Sequence, residues 1–126
     1  MDLSGGILIV DDSSTSRMII GRCIEMAGIE AGAVREAEDG IAAMAILRAE
    51  PGIGCVLTDL NMPKMDGRAF IKLARDAMRG REVSIVVVSS IADSAVEAEL
   101  RGLGVSAIVK KPVSPQKMRE ALGGAA

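Results

Sequence analysis

The chain has 126 residues, 49% of them hydrophobic, so its length and composition predict one globular domain with a core of its own. Its 15 basic and 17 acidic residues leave a net charge of −2, which excludes the basic surface that nucleic-acid binding requires. No apolar run approaches the roughly 18 residues of a membrane span, and the N-terminus does not resemble a signal peptide, so we expect a cytoplasmic protein that binds neither nucleic acid nor membrane.

The residue types that the chain lacks exclude further classes. It has no His, so it cannot form a Ser-His-Asp or Cys-His triad or a His-ligated zinc site. It has no Trp or Tyr and a single Phe, which argues against an aromatic platform for flavin or nucleic-acid bases. The two cysteines, Cys23 and Cys55, lie in apolar surroundings and are predicted to be buried core side chains, not a disulfide.

Short apolar runs alternate with segments of helical periodicity along the chain. Such runs, without internal polar alternation, are typical of strands buried on both faces. We predict strands at residues 7–10, 32–34, 55–58, 85–88 and 107–109. The alternation with helices predicts βα units and a parallel sheet.

Each predicted strand is followed by a helix with its own start signal. Ser13 or Ser14 is expected to cap the first helix and Gly28 to end it. Asp39 is expected to cap the second, and residues 94–97 have the spacing of a capping box that opens the fourth. The fifth helix is expected to begin at Ser114, followed by proline at the first helical position. The side chains expected to face inward are Ile19, Ile20, Cys23, Ile24 and Ala27 in the first helix, Ile41, Ala45 and Ile46 in the second, and Phe70, Ile71, Ala74 and Ala77 in the third.

These elements predict an α/β fold with a doubly wound, five-stranded parallel sheet and five helices. We expect a single domain over residues 1–126 with no effector domain. In such sheets the ligand site lies at the carboxyl ends of the strands, where the strand order reverses. The polar residues at those ends are therefore the candidates for function.

Three acids, a hydroxyl and an ammonium group fall at these strand ends. Asp11 and Asp12 follow the first strand, Asp59 ends the third, Ser89 ends the fourth and Lys111 follows the fifth. If the strand order is 2-1-3-4-5, these side chains meet at one edge of the sheet. Three carboxylates that close together repel each other unless a cation neutralises them, and oxygen ligands suit Mg²⁺.

The same set of residues suits a phosphoryl group. An Asp carboxylate is a nucleophile toward phosphorus, and Asp59 lies at the centre of the predicted cluster. Ser89 and Lys111 are the residue types that hold phosphate oxygens. The chain has no GxxxxGK[ST] motif to bind a nucleotide, and without His it cannot carry a phosphohistidine, so the phosphoryl donor is expected to be another molecule.

Taken together, these residues and their spacing resemble the receiver domain of two-component response regulators. The matching segments are Asp11 and Asp12 with Arg17 downstream, residues 36–40 (EAEDG), residues 58–67 (TDLNMPKMDG), Ser89, and Lys111 followed by Pro112. The resemblance covers nearly the whole chain and implies a flavodoxin-like fold with strand order 2-1-3-4-5. It also implies phosphorylation by a histidine kinase or phosphotransfer protein, and signalling through an unknown downstream protein.

The resemblance implies a role for each matched residue. Asp59 would be the phosphoacceptor, and Asp12 would bind Mg²⁺ directly while Asp11 binds it through water or assists. The backbone carbonyl of Asn61 would be the third protein ligand. Lys111 would pair with the phosphoryl oxygens, and the Ser89 hydroxyl would move toward the phosphate.

Two further expectations concern the family's switch and its loops. The family often has an aromatic residue where this chain has Ile108, so an inward-swinging ring cannot report phosphorylation here. The Lys111–Pro112 peptide is expected to be cis, and Pro63 and Gly67 are expected to shape the loop after Asp59.

Three other interpretations remain open. The chain could be the excised receiver of a larger regulator or hybrid kinase. It could be a Mg²⁺-dependent aspartyl phosphatase, although such an enzyme needs a second acid where Asn61 stands. It could also be a small-molecule binding module on a flavodoxin-like fold, which the lack of aromatic residues disfavours.

Overall fold

Strands and helices alternate along the whole chain in a computed structural model, which describes residues 3–62, 64–90 and 93–123. Pro63, expected to shape a loop, lies outside the described residues. The strands are β1 (Ile7–Val10), β2 (Val34–Ala37), β3 (Cys55–Thr58), β4 (Ser84–Ser89) and β5 (Ala107–Lys110). The helices are α1 (Ser14–Met26), α2 (Gly40–Ala49), α3 (Gly67–Ala77), α4 (Ser94–Gly102) and α5 (Pro115–Met118), the last continued by a π-helical segment, Arg119–Gly123.

The five strands form one parallel sheet in the order β2-β1-β3-β4-β5, which confirms the predicted fold class and strand order. The register matters most at the carboxyl ends. Val10 at the end of β1 lies opposite Thr58 at the end of β3, and Ser89 at the end of β4 lies opposite Lys110 at the end of β5. The residues that follow β1 and β3 therefore leave the sheet side by side, while β4 and β5 extend two residues further, because Thr58 lies opposite Val87.

The sheet is buried on both faces because its side chains alternate between two apolar layers. One layer takes Leu8 and Val10 of β1 and packs under α2, α3 and α4. The other takes Ile7 and Ile9 and packs under α1 and α5. The central strands β1 and β3 are buried along their full length. Their sequences are therefore short apolar runs without alternating polar residues.

The edge strand β2 does not lie where the sequence predicted it. The prediction placed a strand at residues 32–34, whereas β2 runs from Val34 to Ala37. Three of its four residues are exposed, and only Ala37 is buried. This mostly exposed edge strand of mixed polarity lacks the apolar run that marks the central strands, so its position was predicted wrongly.

The buried face of α2 also differs from the prediction. Ile41 is 57% exposed and Ala45 is exposed, while the helix buries Ala43, Met44 and Leu47. This helix is apolar on nearly every side, so periodicity does not identify the face that packs on the sheet. Two residues predicted as inward on other helices, Ile19 and Ala77, are exposed as well.

The helix starts were mostly predicted correctly. The side chains of Ser13, Asp39 and Ser114 accept hydrogen bonds from the first turns of α1, α2 and α5. The exception is α4, which is capped by Asp93 and not by Ser94. The Asp93 Oδ1 atom accepts from the Val96 N–H at 2.9 Å.

The two cysteines are both free and buried, as predicted. Burial raises the pKa of both thiols, that of Cys55 to about 12. Within the described part of the chain, no helix combines the length and the apolar character that crossing a bilayer requires.

Candidate functional site

Three carboxylates meet at the carboxyl ends of β1 and β3. Asp11 and Asp12 follow β1 and Asp59 follows β3, and the pairing of these two strands brings the acids together. One carboxylate oxygen from each of the three lies within 4.8 Å of the others. Asp11 is buried, Asp12 is exposed and the Asp59 side chain is 12% exposed, so the cluster opens to solvent on one side.

Lys111 supplies a positive charge to this cluster. Its Nζ atom lies 3.0 Å from Asp11 Oδ2 and 3.0 Å from Asp59 Oδ2. Its backbone N–H donates to the Ser89 carbonyl at 2.9 Å, and the Lys111–Pro112 peptide is cis. Partial burial alone would lower the pKa of Lys111, but hydrogen bonds and charge attraction from Asp59 and Asp11 outweigh it and raise that pKa.

The carboxylate of Asp11 is held from three directions. Its Oδ1 atom accepts from the Ser13 N–H at 2.9 Å, and its Oδ2 atom accepts from the Ser16 hydroxyl at 2.7 Å and from Lys111. Burial would raise the pKa of Asp11, but these hydrogen bonds outweigh burial and lower it. Asp11 is therefore a fixed, ionised group, whereas the exposed Asp12 carboxylate faces solvent.

The two oxygens of Asp59 have different surroundings. Oδ1 accepts from the N–H of Leu60 at 2.6 Å and from that of Asn61 at 3.3 Å. Oδ2 accepts from Lys111. The backbone thus fixes the orientation of the carboxylate, and the lysine marks the side on which negative charge is stabilised.

The loop after Asp59 passes close to the start of α3. Gly67 donates its N–H to the Leu60 carbonyl at 2.9 Å. A Cβ atom on Gly67 would lie 2.5 Å from Leu60 Cα and 2.7 Å from the Asp59 carbonyl oxygen. Glycine is therefore required here because the backbone of the loop after Asp59 occupies the space of a side chain.

The donor set fits a hard divalent cation. Three carboxylates face a single ammonium group, so the cluster keeps an excess of negative charge, and all available ligands are oxygens. Asn61, whose carbonyl is a predicted ligand, lies at the surface directly beside this cluster.

The predicted switch residues lie on the neighbouring strands. Ser89 is fully buried at the end of β4. Ile108 is half-buried in β5 opposite Val87 and packs against the core layer under α2, α3 and α4. The structure brings Asp11, Asp12, Asp59 and Lys111 into direct contact range, and places Ser89 one strand away.

Sequence reasoning assigned no role to two contacts of Asp11. One is the hydrogen bond from Ser16; the other runs from Arg17 Nη1 to the Asp11 carbonyl oxygen at 2.6 Å. Both depend on where α1 begins, since residues five and six positions after Asp11 reach back to it only if the helix starts at Ser14. Spacing alone offered no signal for Ser16, while Arg17 belonged to a recognised motif.

Comparison with known proteins identifies the family of the chain. The family model described as response regulator receiver domain matches residues 7–123. The chain is 35% identical to chemotaxis protein CheY1 of Helicobacter pylori, and the match covers 92% of both chains. It is 33% identical to a chemotaxis protein CheY homolog of Campylobacter jejuni, and that match covers 92% of this chain and 88% of the relative.

Solved structures give the same result. The chemotaxis response regulator CheY4 of Vibrio cholerae superposes with a TM-score of 0.81 at 25% identity, over 95% of this chain and 97% of that one. A response regulator receiver protein of Pseudomonas putida gives a TM-score of 0.79 at 30% identity, over 94% of both chains. The chain belongs to the response regulator receiver family, whose general function is to accept a phosphoryl group on an aspartate.

Proposed function

We propose that Asp59 is the phosphoacceptor of this receiver, and that it takes its phosphoryl group from a histidine kinase or a phosphotransfer protein. The observation that carries this proposal is the position of the Asp59 carboxylate. Its Oδ2 atom is paired with Lys111, and it shares a cluster with Asp11 and Asp12. Asp11 shares the ammonium group and the cluster, but it is buried and its Oδ2 atom also accepts from the Ser16 hydroxyl, whereas the Asp59 side chain is 12% exposed.

The reaction follows from this arrangement. An Asp59 oxygen attacks the phosphorus atom of a phosphohistidine, an O–P bond forms, and the N–P bond to the donor breaks. The Leu60 and Asn61 N–H groups hold the carboxylate in place. The Lys111 ammonium group, paired with the Asp59 carboxylate before the reaction, then pairs with the phosphoryl oxygens, where negative charge develops.

A divalent cation completes the site. We propose Mg²⁺, held by Asp11, Asp12 and Asp59 and by the backbone carbonyl of Asn61. When bound, it neutralises charge on the phosphoryl oxygens. Asp12 is the direct carboxylate ligand because it is exposed, whereas Asp11 is already engaged by Ser13, Ser16 and Lys111.

Output is proposed to pass through Ser89 and β5. The phosphoryl group on Asp59 would carry about −1.5 to −2 charges in place of the single charge of the carboxylate, and its new oxygens would draw the Ser89 hydroxyl and Lys111 toward them. Because Ile108 replaces an aromatic residue, the signal would reach the α4–β5–α5 face through the loop after Ser89 and not through a ring movement. The target is another protein, and the names of the similar chemotaxis proteins suggest a chemotaxis pathway. A cytoplasmic location fits the two free cysteines.

Acetyl phosphate tests the proposal directly. We expect the protein with Mg²⁺ and acetyl phosphate to gain the mass of one phosphoryl group, and peptide mapping after borohydride reduction to place it on Asp59. Asp59→Asn should not gain this mass. Asp76→Asn is the matched control, because Asp76 is an exposed aspartate whose one ion pair within the described part of the chain is with Arg79.

Two outcomes would contradict the proposal. One is an adduct that persists in Asp59→Asn; the other is an adduct that forms equally well in EDTA. Multiple turnover of a phosphomonoester such as p-nitrophenyl phosphate would instead favour the aspartyl phosphatase interpretation.

A further inference from the structure

Arg17 connects three elements beside the acid cluster without touching a carboxylate of that cluster. Its Nη1 atom donates to the backbone carbonyl of Asp11 at 2.6 Å, and its Nε atom donates to Glu36 Oε1 at 2.9 Å. The Arg17 side chain is only 16% exposed. One guanidinium group thus joins α1, the loop after β1, and β2.

The contacted carbonyl belongs to the peptide that links Asp11 to Asp12. The other side of Asp11 is also fixed, since its N–H donates to the Ala37 carbonyl at 3.1 Å. Within the described residues, the Asp12 side chain makes no hydrogen bond of its own. The position of the Asp12 carboxylate therefore depends on the plane of the peptide that precedes it, and Arg17 holds that plane.

We propose that Arg17 is a positioning residue that presets the Asp12 carboxylate for a divalent cation, with Glu36 holding the guanidinium in place. This inference rests on the proposed function, in which the cluster binds Mg²⁺. Arg17 acts through backbone and not through charge, because its charge opposes cation binding.

The positive charge of Arg17 and its hydrogen bond to the Asp11 carbonyl have opposite effects on the Mg²⁺ affinity of the cluster. This difference makes the inference testable. If Arg17 acted only as a nearby positive charge, its removal would strengthen Mg²⁺ binding through reduced repulsion. If Arg17 holds the Asp11–Asp12 peptide, its removal frees the peptide and weakens Mg²⁺ binding. Residues that orient metal ligands typically change affinity by about tenfold or more when they are removed.

The experiment compares Arg17→Met, Arg17→Lys and the control Arg35→Met. Arg35 is a suitable control because its Nε atom pairs with Glu50 Oε1 at the same 2.9 Å, on the same edge strand that carries Glu36, but away from the acids. Mg²⁺ binding is measured by isothermal titration calorimetry, since the chain has no Trp or Tyr to report it by fluorescence. Urea unfolding in EDTA verifies that each variant is folded.

We expect Mg²⁺ to bind Arg17→Met about tenfold more weakly than the wild type. Arg17→Lys keeps the charge but cannot reach both partners, so it should also bind more weakly. Arg35→Met should match the wild type. At saturating Mg²⁺, the rate of phosphorylation by acetyl phosphate should be close to the wild-type rate in Arg35→Met, which leaves the cluster intact. In metal-free NMR spectra, Arg17→Met should shift the amide resonances of residues 11–13.

Two results would overturn the inference. The first is that Arg17→Met binds Mg²⁺ as tightly as the wild type or more tightly. The second is that Arg35→Met lowers the Mg²⁺ affinity as much as Arg17→Met does. Failure of the proposed function would look different, because the wild type itself would then show no Mg²⁺ binding that Asp12→Asn removes.

Discussion

Lys111 and Asp59 form an ion pair of 3.0 Å although 52 positions separate them in the chain. The same ammonium group pairs with Asp11, so Lys111 is the counter-cation of the cluster before any metal binds. A divalent cation that enters the cluster is repelled by this ammonium group. We therefore expect the lysine to weaken cation binding, while under the proposed function it pairs with the phosphoryl oxygens.

Replacing Lys111 should separate these two effects. In Lys111→Met we expect Mg²⁺ to bind about fivefold more tightly, which corresponds to the loss of about 1 kcal/mol of repulsion. Phosphorylation by acetyl phosphate should become about a hundredfold slower because a group that stabilises the developing charge is missing. Calorimetry and intact-mass kinetics measure the two quantities.

The neighbouring Lys110 provides the control for that prediction. Lys110 is exposed, and Lys110→Met should leave both the Mg²⁺ affinity and the phosphorylation rate near wild type. If Lys111→Met bound Mg²⁺ more weakly, the ammonium group would have to support the cation site, contrary to our interpretation.

Replacement of glycine by alanine is expected to change the unfolding free energy in opposite directions at two positions, Gly67 and Gly21. In Gly67→Ala the new Cβ atom would meet the backbone of Leu60 and Asp59 at 2.5–2.8 Å, so we expect a loss of about 2 kcal/mol or more in unfolding free energy. Gly21 lies inside α1, and among the described residues no atom outside the backbone of that helix lies within 4 Å of its Cβ position. Gly21→Ala should therefore stabilise the protein by about 0.5–1 kcal/mol through helix propensity.

Urea unfolding followed by far-UV circular dichroism measures both changes. The contact of Gly67 with Asp59 adds a functional readout, because a displaced loop would also slow phosphorylation in Gly67→Ala. A neutral or stabilising Gly67→Ala substitution would show that the loop after β3 is free to move away from α3.

The main part of the site could be predicted from the sequence because backbone geometry determines it. A parallel sheet of order 2-1-3-4-5 brings the residues after β1, β3 and β5 to one edge whatever their side chains are. Asp11, Asp12, Asp59 and Lys111 occupy those positions, so their proximity followed once the strands were recognised. The apolar runs of β1, β3 and β4 made those strands easy to recognise.

The contacts that tune the site could not be predicted in this way. Ser16 and Arg17 reach Asp11 only because α1 begins at Ser14 with a particular rotation, and a shift of one residue would turn both away. The same limitation explains the errors at α2 and α4. An all-apolar helix does not reveal its buried face, and Asp93 and Ser94 are both acceptable caps.

The reactivity of the cysteines tests the packing of the layer under α1. Because the thiolate is the reactive form, a raised pKa protects a thiol. The pKa of Cys55 is about 12 and Cys23 is only 7% exposed. At about pH 8 we expect the folded protein to react very slowly with Ellman's reagent, and the urea-unfolded protein to release two equivalents at once. Rapid reaction of the folded protein would show that this layer opens.

The two adjacent acids should respond differently to removal of their charge. Asp12 is exposed, so Asp12→Asn should change the unfolding free energy in EDTA by less than about 0.5 kcal/mol while abolishing the stabilisation by Mg²⁺. Asp11 is buried and accepts three hydrogen bonds, so Asp11→Asn should cost about 1–3 kcal/mol even without metal.

The pH dependence of that difference tests the charge of Asp11 itself. The pKa of Asp11 is lowered in the folded protein, so the unfolded chain takes up the proton first as the pH falls. The stability that Asp11 contributes is therefore fully present above its unfolded pKa of about 3.9 and is lost as the pH falls through the lower, folded value. In EDTA, the wild type should converge on Asp11→Asn as the pH falls through that range. A difference that grows toward low pH would mean that Asp11 stabilises the fold in its protonated form.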